Sequence, residues 1–398
     1  MTSTSTADYR TKSLVLEADN PKVEGYWPLA LDIGYSSVKG ISPNSFYVFP
    51  SYAKNLGLKP ALYGEQGHDE ILYRDSDTGE IWRVGSSAQR TIDIRDTNDS
   101  QLELFGRDRY FSRMFEVLLR TGLAMGIRDN SFSAYAGEPI VIETGLPPAY
   151  LEEDRKYLVS AFSGTHKFAI KTAADKRYRD IELTISKKNI SVMSQPEGTL
   201  MNLATDNHAR SLPRAKQLFQ SNILIFDAGF GTLDLFDILH RTINSRETSS
   251  EFGMREVLSR TSQRIRRETG VIIRPSAMQN SLESGTVMVK KRVGLTVSSQ
   301  AVSIEEWLYD ASKQVCEEAV AKIMNMYSGL FQYDYLVLTG GTCTAWEHYI
   351  REYFAAVEGL SVIMGNENCP DVDLIFCNAR GYYMYLIKTL RKRLGKQG

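Results

Sequence analysis

The sequence predicts an α/β fold of two similar lobes with a cleft between them. Three observations carry this reading. First, Leu-Ala-Leu-Asp-Ile-Gly-Tyr-Ser-Ser-Val-Lys at 29–39 and Ile-Leu-Ile-Phe-Asp-Ala-Gly-Phe-Gly-Thr-Leu-Asp at 223–234 share one plan. Each is an apolar strand that ends in Asp-x-Gly and turns sharply through small and hydroxyl residues, so that Asp32 matches Asp227, Gly34 matches Gly229 and Ser37 matches Thr232. Second, strand-like and helix-like segments are mixed in both halves, the pattern of an α/β protein. Third, 398 residues are more than a single core usually organises.

Residues 1–25 are polar and rich in Ser and Thr and predict a flexible arm. Lobe I, 26–206, opens with a buried-type strand at 29–33, followed by a β-rich, aromatic-rich insertion at about 43–105. An amphipathic helix at 107–125 places Phe111, Met114, Phe115, Leu118 and Leu119 on one face, at helical spacing. A short strand at 139–144 runs into Gly145-Leu-Pro-Pro, then come a helix at 151–162 and charged, alternating strands at 167–193. The turn Ser194-Gln-Pro-Glu-Gly leads into a short helix.

Lobe II, 207–365, repeats the plan with a hairpin of strands 222–227 and 233–239. A charged helix at 252–268 belongs to a subdomain at about 251–299. The helix at 303–327 buries Ile304, Trp307, Leu308, Ala311 and Val315, and a strand at 335–338 hands over to a helix at 345–354. Residues 366–398 are expected to return to lobe I as a strand at 374–376 and a closing helix. No low-complexity linker separates the lobes.

A hydrophobic content of 42% and a charged content of 24% are those of an ordinary globular protein. The net charge of −1 disfavours direct, sequence-independent DNA binding. The basic stretch at 388–396 reads as a solvated helix end whose cations complement the helix dipole. Cys316, Cys343, Cys369 and Cys377 form no CxxC pair, which with the lack of a signal peptide predicts a cytoplasmic protein with free thiols. No run approaches the roughly 20 apolar residues of a membrane span. The histidines show no zinc-ligand spacing.

Gly34, Gly229 and Gly231 let the backbone turn tightly and approach a ligand. Successive N–H groups in such turns make an anion-binding nest. Ser36, Ser37, Thr232 and Lys39 can add donors. Asp32 and Asp227 would repel bare phosphate, but they suit a hydrated Mg²⁺ placed between them and a polyphosphate. Neither GxxxxGK[ST] nor GxGxxG at a strand–helix junction is present, so a polyphosphate needs the two-loop arrangement. Gly340-Gly341-Thr342 follows the last strand of lobe II and leaves room for a flat purine against the backbone. One Asp-x-Gly is commonly a plain turn; two matched ones are harder to ascribe to accident.

The order Asp32-x-Gly … Lys39, Pro196-Glu197, Asp227-x-Gly-x-Gly-Thr-x-Asp234, Gly340-Gly341-Thr342 resembles the actin, sugar kinase and heat-shock chaperone ATPase superfamily. Within it the chain is most similar to bacterial plasmid-segregation actins of the ParM type, over about residues 26–390. Gly145-Leu-Pro-Pro, the Ser-Gln-Pro-Glu-Gly turn and the helix entry Asn378-Ala-Arg-Gly-Tyr support this. The resemblance implies a two-lobed actin-like fold of duplicated RNase H-like domains and a Mg-dependent ATPase with ATP (or GTP) in the cleft. It implies that Asp32 and Asp227 hold Mg²⁺ through water. The loops Gly34, Tyr35, Ser36, Ser37, Lys39 and Gly229, Phe230, Gly231, Thr232 would hold the β- and γ-phosphates. Gly340, Gly341 and Thr342 would line the adenosine, with the helix at 253–268 closing over the base, and Glu197 would position the attacking water.

Tyr35 and Phe230 depart from the small residues usual in these loops and are expected to pack beneath them. The resemblance further implies self-association into filaments whose stability ATP hydrolysis controls. It also implies a DNA-binding adaptor of the ParR type linking filament ends to plasmid DNA. Two other readings stay open: a small-molecule kinase, which would need a further Asp or Glu base, and an ATP-binding scaffold that does not polymerise.

Overall fold

The computed structural model describes residues 5–61, 67–92, 104, 106–293 and 296–395. Parts of the expected arm (1–4), insertion (62–66, 93–103 and 105), subdomain (294–295) and closing segment (396–398) lie outside the described residues. In chain order, the first half holds β1 (Leu14–Glu17), β2 (Trp27–Ile33), β3 (Ser37–Ser42), β4 (Ser45–Pro50), β5 (Ala53–Gly57), β6 (Ile71–Asp75) and β7 (Ile81–Val84). Then come α1 (Arg113–Gly126), β8 (Ile140–Leu146), α2 (Leu151–Phe162), β9 (Gly164–Thr172), β10 (Arg179–Ile185), β11 (Ile190–Ser194) and α3 (Gln195–Leu203). The second half holds β12 (Ile223–Ala228), β13 (Leu233–Leu239), β14 (Thr242–Ser249), α4 (Met254–Thr269), α5 (Gln279–Ser284), β15 (Thr286–Val293) and β16 (Thr296–Ser303). It ends with α6 (Glu305–Met326), β17 (Tyr335–Thr339), α7 (Cys343–Phe354), β18 (Ser361–Met364) and α8 (Cys377–Leu394).

The two principal sheets have the same topology. In lobe I the order is β4-β3-β2-β8-β11, with β1 added at the β4 edge; in lobe II it is β14-β13-β12-β17-β18. The central strand of each pairs antiparallel with the strand that follows it and parallel with a later one. β2 is buried along its whole length, and so is β12, because helices cover both faces of such sheets and leave no polar face. A third sheet, β10-β9-β6-β7-β5, joins three strands of the insertion to β9 and β10 from later in lobe I, and β15–β16 is a separate hairpin.

Helix ends follow local chemistry. Ser112 caps α1, its Oγ accepting from the Phe115 N–H at 3.1 Å. Gly270, at φ +73°, ends α4 in the left-handed conformation that glycine adopts without strain. α8 packs on α3 and against β2, β3 and β8. The crossing with α3 is backbone to backbone, since a Cβ on Gly381 would overlap the Gly198 carbonyl.

Four expectations need correction. The arm is not loose over residues 5–25: Tyr9 is buried and β1 pairs with β4. The helix expected from 107 begins at Arg113 after a 3₁₀ turn over Arg107–Phe111, which leaves Phe111 69% exposed, off the buried face. Residues Leu374–Phe376 form a 3₁₀ turn, and the outer strand of lobe II is β18 instead, paired parallel with β17. Ser194-Gln-Pro-Glu-Gly is not a separate turn: β11 passes directly into α3 at Gln195, with Pro196 in the first helical turn, where its missing N–H costs nothing.

Candidate active site

Both Asp-x-Gly segments form the bend of an antiparallel hairpin. Register places Asp32 opposite Lys39, and Asp227 opposite Asp234. Gly34 N–H donates to the Ser37 carbonyl at 3.0 Å, and Gly229 N–H donates to the Thr232 carbonyl at 2.9 Å. A hydroxyl clamps each bend from outside: Ser51 Oγ donates to the Gly34 carbonyl and Thr342 Oγ1 to the Gly229 carbonyl, both at 2.7 Å. The aligned glycines thus occupy equivalent places in two copies of one turn.

The two bends line one cavity of ≈ 120 Å³ between the lobes. Asp32, Gly34, Tyr35, Ser36, Ser37 and Lys39 face it from lobe I. Asp227, Gly229, Phe230, Gly231, Thr232, Gly340, Gly341 and Thr342 face it from lobe II. Gly340 has φ +85°, and a Cβ there would overlap the Ala228 carbonyl and the Asp227 carboxylate, so only glycine fits.

Three carboxylates are buried at the cleft. Asp32, Asp227 and Asp234 lie beside the two bends, and Lys39 Nζ donates to Asp32 Oδ2 at 2.9 Å. Asn378 Nδ2 donates to Asp227 Oδ2 at 2.7 Å. Asp234 accepts from Thr248 Oγ1 at 2.6 Å and Thr232 Oγ1 at 3.1 Å. Burial pushes the Asp227 carboxyl up to about 6 despite Asn378 and Lys39. Burial, reinforced by the Asp227 charge, pushes Asp234 up to about 7. Among the described residues no three acidic, His or Cys side chains converge closely enough to hold a metal by themselves. Buried carboxylates on both bends fit a hydrated divalent cation, which takes few protein ligands and keeps its waters.

Several expected site residues lie elsewhere or act differently. Glu197 is not in the cleft. Its Oε2 accepts from the Ser194 N–H at 3.2 Å and its Oε1 pairs with Arg246 Nη2 at 3.4 Å, beside a second cavity of ≈ 720 Å³. The residue of α3 that does line the cleft is Gln195, whose Nε2 donates to Asp32 Oδ1 at 3.2 Å. Positions two apart on a helix point to nearly opposite sides, so both cannot face one cleft.

Tyr35 does not pack beneath its own loop. It reaches across the cleft, where a Cβ on Gly231 would come within 2.9 Å of its ring, and the Arg109 guanidinium lies over it at 4.8 Å. Phe230 packs partly on the lobe II core. Of the charged helix α4, Met254 lines the cleft, while Glu256 and Arg260 pair with each other and Arg264 and Arg267 both pair with Glu268. Thr232 and Thr342 turn their hydroxyls to Asp234 and Gly229. Sequence reasoning missed Asn378 as a cleft residue, although the Asn378-Ala-Arg-Gly run marked the segment, and missed Arg109 and residues 8–12, which also line the cavity.

Residues 30–198 match the family described as the N-terminal domain of actin-like proteins. The chain has an actin-like fold. Its fold is that of ParM-type structures. A non-polymerisable quadruple mutant of pCBH ParM is 18% identical, with 94% of this chain and 100% of that one covered and a TM-score of 0.66. The ParM subunit of a 15-stranded filament from Clostridium botulinum is 18% identical, with 91% and 99% covered and a TM-score of 0.66. An archaeal actin homologue in complex with ADP is 16% identical, with 91% and 99% covered and a TM-score of 0.61. At these identities the likeness of this chain to them is one of fold. No curated protein matches it significantly in sequence. Among the described residues, no helix is long and apolar enough to cross a membrane.

Proposed function

We propose that this chain is a Mg-dependent, filament-forming ATPase of the plasmid-segregation type. It would work in the cytoplasm and bind ATP (or GTP) between the two Asp-x-Gly bends. The observation that carries the reading is the pair of equivalent turns facing one cleft beside three buried carboxylates and Lys39. The ParM filament and the ADP complex among structures of the same fold support it.

In this reading the N–H groups of residues 35–37 and 230–232 bind the β- and γ-phosphate oxygens, and Lys39 offsets their charge. Gly340 and Gly341 lie beside the adenosine. Asp32 and Asp227 would hold Mg²⁺ through its waters; when bound, the cation neutralises charge on the transferred phosphoryl group. Gln195, its amide nitrogen held by Asp32, accepts from the attacking water through its amide oxygen and orients it in line with the γ-phosphorus. The water oxygen bonds to phosphorus as the bond to the bridging oxygen of ADP breaks, and the water protons leave with inorganic phosphate.

Lobe I (26–206), lobe II (207–365) and the returning segment (366–398) would close on nucleotide and favour assembly. Hydrolysis would weaken the polymer. A DNA-binding adaptor of the ParR type would supply the DNA contact that a net charge of −1 does not. Sedimentation of the pure protein with Mg-ATP or Mg-GTP tests the reading, with phosphate release measured alongside. Nucleotide-dependent pelleting is expected; a chain that stays in the supernatant with both nucleotides across concentrations overturns the filament assignment.

A further inference from the structure

We propose that residues 5–17 form a strap that latches the two lobes across the mouth of the cleft and sets the rate at which nucleotide leaves. This rests on the reading of the cleft as a nucleotide site. One end of the strap belongs to lobe I: β1 pairs antiparallel with β4, from Leu14 opposite Val48 to Glu17 opposite Ser45. The other end belongs to lobe II. Thr6 Oγ1 donates to the Leu282 carbonyl at 2.8 Å, Arg10 Nη1 pairs with Glu283 at 3.0 Å, and the Thr11 N–H donates to Gln279 Oε1 at 3.0 Å, all on α5. Tyr9 is the anchor. It is 5% exposed within the lobe II core, its ring lies 6.0 Å from that of Tyr309, and burial pushes its phenol up to about 12.

Between these ends the chain runs along the cavity itself. Asp8 through Lys12 line the same cavity as Gly340, Gly341 and Ile375, and Lys12 pairs with Asp373. Arg10 lines the cavity too, and its Nε is buried with no hydrogen-bond partner. The cavity of ≈ 120 Å³ is small beside the roughly 300–1,000 Å³ of ligand clefts, so exchange requires the lobes to part. Only residues 10–13 separate Tyr9 from β1, and a fully extended residue spans at most roughly 3.6 Å. The lobes therefore cannot part far without either extracting Tyr9 or peeling β1 from β4. β1 is four residues long and mostly exposed, so it is the end that yields.

The test is stopped-flow release of N-methylanthraniloyl-ADP from the full chain, from a chain lacking residues 1–12, and from the Arg10→Ala/Lys12→Ala double variant, which keeps Tyr9. Release is expected to quicken about tenfold in the truncated chain and about threefold in the double variant. If truncation prevents folding, the double variant decides. If the full chain binds the analogue and the variants release it within about twofold of the full chain, the strap has no control over exchange. If the full chain does not bind the analogue at all, the reading of the cleft itself fails.

Discussion

Gln195 Nε2 donates to Asp32 Oδ1 across 3.2 Å, which fixes a neutral amide of α3 to the first Asp-x-Gly bend. The same helix turn sends Glu197 to the opposite side, where it meets Arg246. Gln195→Ala is therefore expected to lower phosphate release about 100-fold while nucleotide affinity changes little, because a misplaced water loses orientation rather than binding. Glu197→Gln should leave turnover within about twofold of the parent. Single-turnover phosphate release and fluorescent-nucleotide titration separate the two, and a reversed ranking would return catalysis to Glu197.

The buried acids make the nucleotide-free protein sensitive to pH. Asp227 and Asp234 have folded values of about 6 and about 7, against an ordinary 3.8. The folded state therefore holds more protons than the unfolded chain between about pH 4 and 7. Their contribution to stability is fully present below the unfolded value and is lost as pH rises through 6 and 7. Glu143, pushed up to about 8 by burial, adds to the same slope. The melting temperature should fall from pH 5 to 8, and Asp234→Asn should flatten part of that fall. Equal slopes for the parent and Asp234→Asn would show that Asp234 is ionised throughout.

Gly381 in α8 faces Gly198 in α3 so closely that a methyl group would overlap the Gly198 carbonyl. On the other side of the contact, a Cβ on Gly198 would come within 2.8 Å of the Asn378 carbonyl. Backbone cannot yield as a flexible side chain does, so Gly381→Ala should cost about 3 kcal/mol. Denaturant unfolding measures this; a loss below about 1 kcal/mol would mean that the crossing relaxes. Because Asn378 lies one turn before Gly381 and holds Asp227, the same variant should also weaken nucleotide binding.

The duplicated sheets were legible because a strand buried on both faces is written as an unbroken apolar run, and Asp-x-Gly marks where it must turn. The matched positions 32/227, 34/229 and 37/232 carry that signal, and the two hairpins place them equivalently. Glu197 was also readable, though as something else: Ser-x-x-Glu is the pattern of a helix capping box, and its N–H bond from Ser194 has that geometry. Phe111 misled because helical spacing extends past a helix start that Ser112 alone sets.

By itself the sequence determined the two lobes, their central strands and the two bends that face one cleft, since these depend on hydrophobic period and on glycine at neighbouring positions. Only the tertiary structure decided which side of α3 meets that cleft, where Tyr35 comes to rest and that residues 5–17 tie lobe to lobe. Those depend on contacts between residues far apart in the chain, Gln195 with Asp32, Tyr35 with Gly231 and Thr6 with Leu282. No local pattern encodes such pairings, because they follow from how the lobes pack and not from the period of any one element.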